Sequence, residues 1–263
     1  MIKLIALDMD WTLIDYSSGK GTICPELMEF FKEFINKGNH AGIISGRPPW
    51  EFGSMVESCG YEFSKPFPDF MVAREAYLWE YDTNYVDITE LNGKTKDDIH
   101  ELNLSVSTHL NDLIKMLKAK GIAISNFCIY GEFATEIHVE ASKADFAMEL
   151  VSEYVKEHNI PNAKVHRNGV MVTIYHKNYG KGNTLKKVSK YYGVEPHEVL
   201  AIGDNYNDVS MIDGKLGFIG ACVGNAVDDI KNIVKSGGGY VGNGTASVGV
   251  LDIIKQLQKE GKI

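Results

Sequence analysis

Residues 2–7 form a near-continuous apolar run that stops at Asp8. A run of that length without alternation is expected of a parallel strand covered on both faces. Leu27, Met28, Phe30, Phe31, Phe34 and Ile35 then recur on one stripe, with Pro25 suited to a first helical turn and Gly38 to a stop. That spacing predicts a helix from Pro25 to about Lys37. Residues 41–45 predict a second strand, residues 48–60 a second helix, and residues 69–73 a third strand. This β-α-β-α-β order predicts an α/β fold with a doubly wound parallel (Rossmann-like) core.

The middle of the chain has a different rhythm. Residues 76–89, rich in Tyr, Trp, Val and Ile, predict a hairpin turning at Asp82-Thr83-Asn84. A helix is expected from about Thr95 to Lys120, broken before Ser105, followed by strands near 122–129 and 134–140. A helix from Lys143 to about His158 precedes strands near 163–167 and 170–176, with a turn at Asn168-Gly169. This αββαββ order suits an antiparallel sheet with helices on one face, an inserted α+β domain. After Tyr179-Gly180 the α/β alternation returns: a helix over 182–192, strands over 199–202 and 216–221, and helices near 226–235 and 247–259. The expected division is a core of residues 1–90 plus 178–263 and an inserted cap of residues 91–177.

Composition narrows the partners more than the chemistry. The 263 residues are 44% hydrophobic, enough to fill a core, and the net charge is −8. That balance argues against a nucleic-acid partner, which calls for clustered Lys and Arg. A small anionic substrate stays open, because a bound metal reverses the local field. Cys24, Cys59, Cys128 and Cys222 are scattered, without zinc-site spacing, and read as reduced thiols of a cytosolic protein. The first apolar run is too short for a membrane span or the core of a signal peptide. The expectation is a cytoplasmic monomer or homodimer with no membrane partner.

Four segments carry chemistry, each placed just beyond a predicted strand or at a helix start, where doubly wound sheets hold ligands. They are Asp8-Met9-Asp10-Trp11-Thr12, Ser45-Gly46-Arg47, Lys181, and Gly203-Asp204-Asn205-Tyr206-Asn207-Asp208. Each alone also fits a structural role: two Asp at a strand end cap turns, and Gly-Asp-Asn forms ordinary loops. Together, in this order, the set resembles the haloacid dehalogenase superfamily, with its DxDxT, terminal Ser or Thr, Lys and GDxxND motifs. Thr22-Ile23-Cys24-Pro25-Glu26 and Val199-Leu200-Ala201-Ile202-Gly203-Asp204 resemble its Cof-like, type IIB cap members.

The resemblance implies a hydrolase in which Asp8 attacks phosphorus and Asp10 moves the proton of the leaving oxygen, with Lys181 offsetting charge. It implies Mg²⁺ as cofactor, held by the Asp8 and Asp204 carboxylates and the Asp10 carbonyl, with Asp208 in or near its second shell. Thr12, Ser45, Gly46, Arg47 and Asn207 are the expected phosphate or substrate contacts. The expected reaction is hydrolysis of a small phosphorylated metabolite, a sugar phosphate first; the alternative is a phosphohexomutase. A mutase calls for a convergent cationic cluster in the cap, for which the sequence offers Lys143, Lys164, His166, Arg167 and Lys177. Trp11 stands where many relatives have Gly, and a packing role is expected for it, the alternative being a large aromatic that faces the substrate or cap. Trp50, Trp79, Phe127, Tyr130, Phe133 and Tyr175 are aromatic candidates for a sugar site, with core or sheet-face roles expected.

Overall fold

The N-terminal apolar run forms β1 (Leu4–Leu7), every side chain of which is fully buried, as two covered sheet faces require. It belongs to a computed structural model that describes residues 1–81, 84–129 and 134–263. Next comes α1 (Pro25–Asn36), which turns Leu27, Met28, Phe31 and Phe34 into the core. β2 (His40–Ile44), α2 (Pro49–Ser58) and β3 (Phe70–Ala73) complete the first winding. β4 (Tyr77–Tyr81) and β5 (Tyr85–Asp87) form the expected hairpin, antiparallel to β3 and to each other. Two residues of its predicted turn, Asp82 and Thr83, lie outside the described residues.

α3 (Thr89–Ala119) corrects the sequence reading, which started this helix at Thr95 and broke it before Ser105. Its buried positions 92, 95, 99, 102, 103, 106, 110, 113 and 117 keep a three-and-four spacing straight through the suspected break. Asn103 and Ser105 cost only tenths of a kcal/mol in propensity, roughly 0.5 each, and burial of the stripe overrides that. Asn103 is also satisfied inside the core, where its Oδ1 accepts a 3.3 Å bond from the Thr135 hydroxyl. β6 (Ile124–Ile129), β7 (Thr135–Val139), α4 (Ala144–Glu157), β8 (Ala163–Asn168) and β9 (Met171–His176) follow. The four strands form an antiparallel sheet in the order β6-β7-β9-β8. Its inner face, Ile137, Val139, Val172 and Ile174, packs with Leu102, Val106, Leu113 and Val151 of the two helices.

The chain then returns to the first sheet through α5 (Lys181–Tyr191), β10 (Val199–Gly203), α6 (Val209–Ile212), β11 (Ile219–Cys222), α7 (Asp228–Ser236), β12 (Tyr240–Val241) and α8 (Ala246–Lys259). Two of these, β12 and α6, are too short to leave a periodic signal in the sequence. The sheet order is β12-β11-β10-β1-β2-β3-β4-β5, parallel from β12 to β3. β1 sits between β10 and β2, with Leu7 opposite Ile202 and Ile43, so all three strands end side by side. Contacts divide the chain into two compact units, Met1–Thr89 with Lys181–Ile263 and Glu90–Gly180. Among the described residues no helix is long and apolar enough to cross a membrane, and all four cysteines are free.

Candidate active site

Asp8 follows directly on β1, its amide donating 3.0 Å to the Ile202 carbonyl and so extending the parallel ladder by one residue. That placement aims the Asp8 carboxylate out of the sheet's carboxyl edge while leaving the residue 7% exposed. Lys181 opens α5 and is wholly buried; its Nζ donates 2.5 Å bonds to Asp8 Oδ1 and to Asp208 Oδ1. Gly182 lets α5 begin here, because a Cβ on it would lie 2.2 Å from the Ser210 carbonyl oxygen. After β10 the chain folds into one tight turn, Tyr206–Asp208, whose Asp208 Oδ2 accepts from the amides of Asp204 (2.9 Å) and Asn205 (3.0 Å). Gly203 is required in that turn: a Cβ would fall 2.4 Å from the Asp208 carboxyl carbon.

The result is a buried group of three carboxylates, Asp8, Asp204 and Asp208, that offers ligand oxygens within 4.8 Å of one another. One ammonium, Lys181, faces three acids. Burial raises Asp8 well above the usual carboxylate range; Lys181 pulls it back, while Asp208 and Asp204 push it further up. Asp204 is pushed up to about 7 by burial and then by the Asp208 charge. Burial draws Lys181 down, but the Asp208 and Asp8 charges outweigh it and hold the amine above the ordinary lysine value. Hard oxygen donors carrying excess negative charge fit a small divalent cation such as Mg²⁺, which would relieve the crowding.

Asp10 stands apart from this group. Its carboxylate accepts a forked pair from Arg47, Nε to Oδ2 at 2.7 Å and Nη2 to Oδ1 at 3.0 Å, plus a 2.6 Å bond from the Tyr16 hydroxyl. Arg47 gives its remaining arm to Glu51 at 2.7 Å, so the guanidinium expected to reach substrate is already committed. Thr12 is fully buried and donates 3.0 Å to Asp204 Oδ1. It therefore positions a carboxylate of the buried group. Ser45 is buried, and its hydroxyl accepts from the Arg47 amide at 3.2 Å. Asn207 donates 2.9 Å to Glu75 Oε1, and the same oxygen lies 3.6 Å from where a Cβ on Gly46 would be.

Glu75 and Tyr16 were missed by sequence reading. Glu75 was findable, since it too lies just beyond a strand of the parallel sheet, β3. Tyr16 carries no signal, because an excursion held by the Asp15–Thr22 bridge brings it back to Asp10.

The aromatic expectations divide. Trp11 is not packed away: it is 42% exposed, at φ 60°, edge-on to Tyr16 at 5.4 Å. Left-handed backbone on a bulky residue costs about 1–2 kcal/mol, which a Gly there would not incur. Trp50, on α2, is 71% exposed, against the expected core or sheet-face role, whereas Phe127, 47% exposed, lies on a face of the β6 strand as expected. Trp79 packs against the core of the first unit, and Tyr175 stacks on His166 at 4.6 Å. Tyr130 and Phe133 lie outside the described residues.

Among the cationic candidates of the second unit, Arg167 and Lys143 are already paired. Arg167 pairs with Asp145 and Lys143 with Glu140 and the Gly121 carbonyl. Lys164 and His166, at alternate positions of β8, lie on the sheet face opposite Arg167. Arg167 therefore does not join Lys164 and His166 in one cluster of the kind a mutase calls for.

The family model described as haloacid dehalogenase-like hydrolase matches residues 5–254. The 5-amino-6-(5-phospho-D-ribitylamino)uracil phosphatase YwtE of Bacillus subtilis is 24% identical, over 88% of this chain and 90% of its own. A phosphoglycolate phosphatase of Methanospirillum hungatei is 34% identical over 38% of each chain. Among solved structures, the sucrose-phosphatase of Synechocystis sp. PCC6803 superposes with TM-score 0.71 at 16% identity, covering 98% of this chain and 99% of that one. Fold, motif geometry and family match agree that the chain belongs to the haloacid dehalogenase-like hydrolases, as an enzyme of the phosphoric monoester hydrolase class.

Proposed function

We propose that the chain is a Mg²⁺-dependent phosphatase of small phosphorylated metabolites, sugar phosphates first among them, working through an aspartyl-phosphate on Asp8. The observation that carries this reading is Lys181, fully buried yet bonded to both Asp8 and Asp208 beside Asp204. A lysine held there has no structural need that an apolar residue would not meet at less cost, since burying charges is expensive even when they are paired.

In the first step an Asp8 oxygen attacks phosphorus, the bond from phosphorus to the leaving oxygen breaks, and Asp10 gives that oxygen its proton. In the second, water attacks phosphorus, Asp10 takes its proton, and the bond to Asp8 breaks to release inorganic phosphate. Lys181 stays beside the reacting oxygens and offsets their charge throughout. Asp8, Asp204 and the Asp10 carbonyl would hold the metal, with Asp208 beside them; bound there, Mg²⁺ supplies charge neutralisation between an anionic nucleophile and an anionic phosphate. Ser45, Gly46 and Asn207 border the phosphate position, and Asn207 reaches it once its amide leaves Glu75. The Glu90–Gly180 unit acts as the cap that selects the leaving group. Free thiols and the net charge of −8 suit a cytoplasmic protein that does not bind nucleic acid.

The test is phosphate release from a panel of phosphorylated metabolites with Mg²⁺, repeated in excess EDTA. Release that chelation stops is expected; release undiminished in EDTA would remove the metal from this reading.

A further inference from the structure

Trp11 lies between two motif residues, Asp10 and Thr12, yet has no part in the steps assigned to them. Its backbone is pinned on both sides: the amide donates 3.0 Å to the Ile14 carbonyl, and its own carbonyl accepts 2.8 Å from Asn225 Nδ2. The residue holds φ 60° and still presents a ring that is 42% exposed. An outlier of this kind, over-determined by its surroundings, points to use of the side chain, since packing does not explain it. Tyr16 shows where the ring stands. It meets the indole edge-on at 5.4 Å and donates its hydroxyl 2.6 Å to Asp10 Oδ1. The acid that protonates the leaving oxygen must lie against the leaving group, so the Trp11–Tyr16 pair borders that group.

We propose that Trp11, backed by Tyr16, is a specificity-determining contact for the leaving group, and that this group carries a ring that packs on the indole. The inference rests on the phosphatase reading and narrows its substrate to a cyclic phosphomonoester. Indole is suited to this work because it offers a large, rigid face at little entropic cost. Both a heteroaromatic ring and a pyranose present a face that indole can cover.

The test compares kcat/KM for p-nitrophenyl phosphate, glucose 6-phosphate and 2-phosphoglycolate in the wild type and in Trp11→Gly, Trp11→Asn and Trp11→Phe. Each variant is referred to wild type, so the intrinsic reactivity of each ester cancels. The ratio of ring to acyclic kcat/KM should fall about fivefold or more in the Gly and Asn variants and recover in part with Phe. The arm that falls identifies the ring as aromatic or pyranose. Gly and Asn both tolerate a left-handed backbone, so a melting midpoint at or above wild type is expected and separates lost contact from lost fold. An unchanged ratio in whichever of these two variants folds would overturn the inference while leaving the phosphatase reading intact. No phosphate release by the wild type from any of these esters or the wider panel would overturn that reading, and this inference with it.

Discussion

Asp10 has both carboxylate oxygens occupied, by the Arg47 fork and by Tyr16. To serve as the proton carrier it must release one of these contacts when the leaving oxygen arrives. Asp10→Asn should lower kcat/KM for an alkyl phosphate at least about a hundredfold, and less for p-nitrophenyl phosphate, whose leaving oxygen departs without a proton. Equal losses of kcat/KM on both esters, the parameter that reports the step in which the leaving oxygen departs, would deny Asp10 the acid's role. Asp204 gives a second prediction. Burial and Asp208 push it up to about 7, well above the usual carboxylate range. In the metal-free protein its stabilising contribution is full below the unfolded value and is lost as pH rises through about 7. A cation that binds the ionised group restores what is lost. The rise in melting temperature on adding Mg²⁺ should therefore be larger at pH 8 than at pH 5.5, and an equal or reversed rise would contradict the assignment.

The elements that bring these residues together were visible in the sequence to different degrees. Parallel strands read clearly because burial on both faces leaves runs such as Leu4–Leu7 and Val199–Gly203 with no polar interruption. A break in α3 was expected before Ser105, whereas the buried stripe runs through it from Leu102 to Val106. The turn after β10 shows why local sequence matters even where no side chain acts. Gly203→Ala would place a methyl on the Asp208 carboxyl group and force it away from Lys181 and the Asp204 amide. A loss of about a hundredfold in kcat is expected, the scale of an ångström's misplacement in a catalytic group, with an unchanged far-ultraviolet circular dichroism spectrum. Near-normal turnover would mean that Asp208 is not held where the reaction needs it.

At the scale of the molecule, the site exists because β1, β2, β3 and β10 end at one edge of a sheet, although their residues are up to about two hundred positions apart in sequence. The motif positions at those ends were legible for that reason. Their partners were not: Thr12 turning to Asp204, Arg47 to Asp10, and Asn207 to Glu75 are choices among neighbours that only folding creates. Trp11 was misjudged because large aromatics are usually buried, a tendency that gives no weight to a pinned loop. The proposed chemistry depends on one carboxylate, Asp8, held by Lys181 at the end of β1. The most direct test is Asp8→Asn, assayed with Mg²⁺ on p-nitrophenyl phosphate beside a thermal melt. Turnover below about a thousandth of wild type with the fold retained is the expected result. A folded variant that turns over within about tenfold of wild type would contradict the assignment of Asp8 as nucleophile.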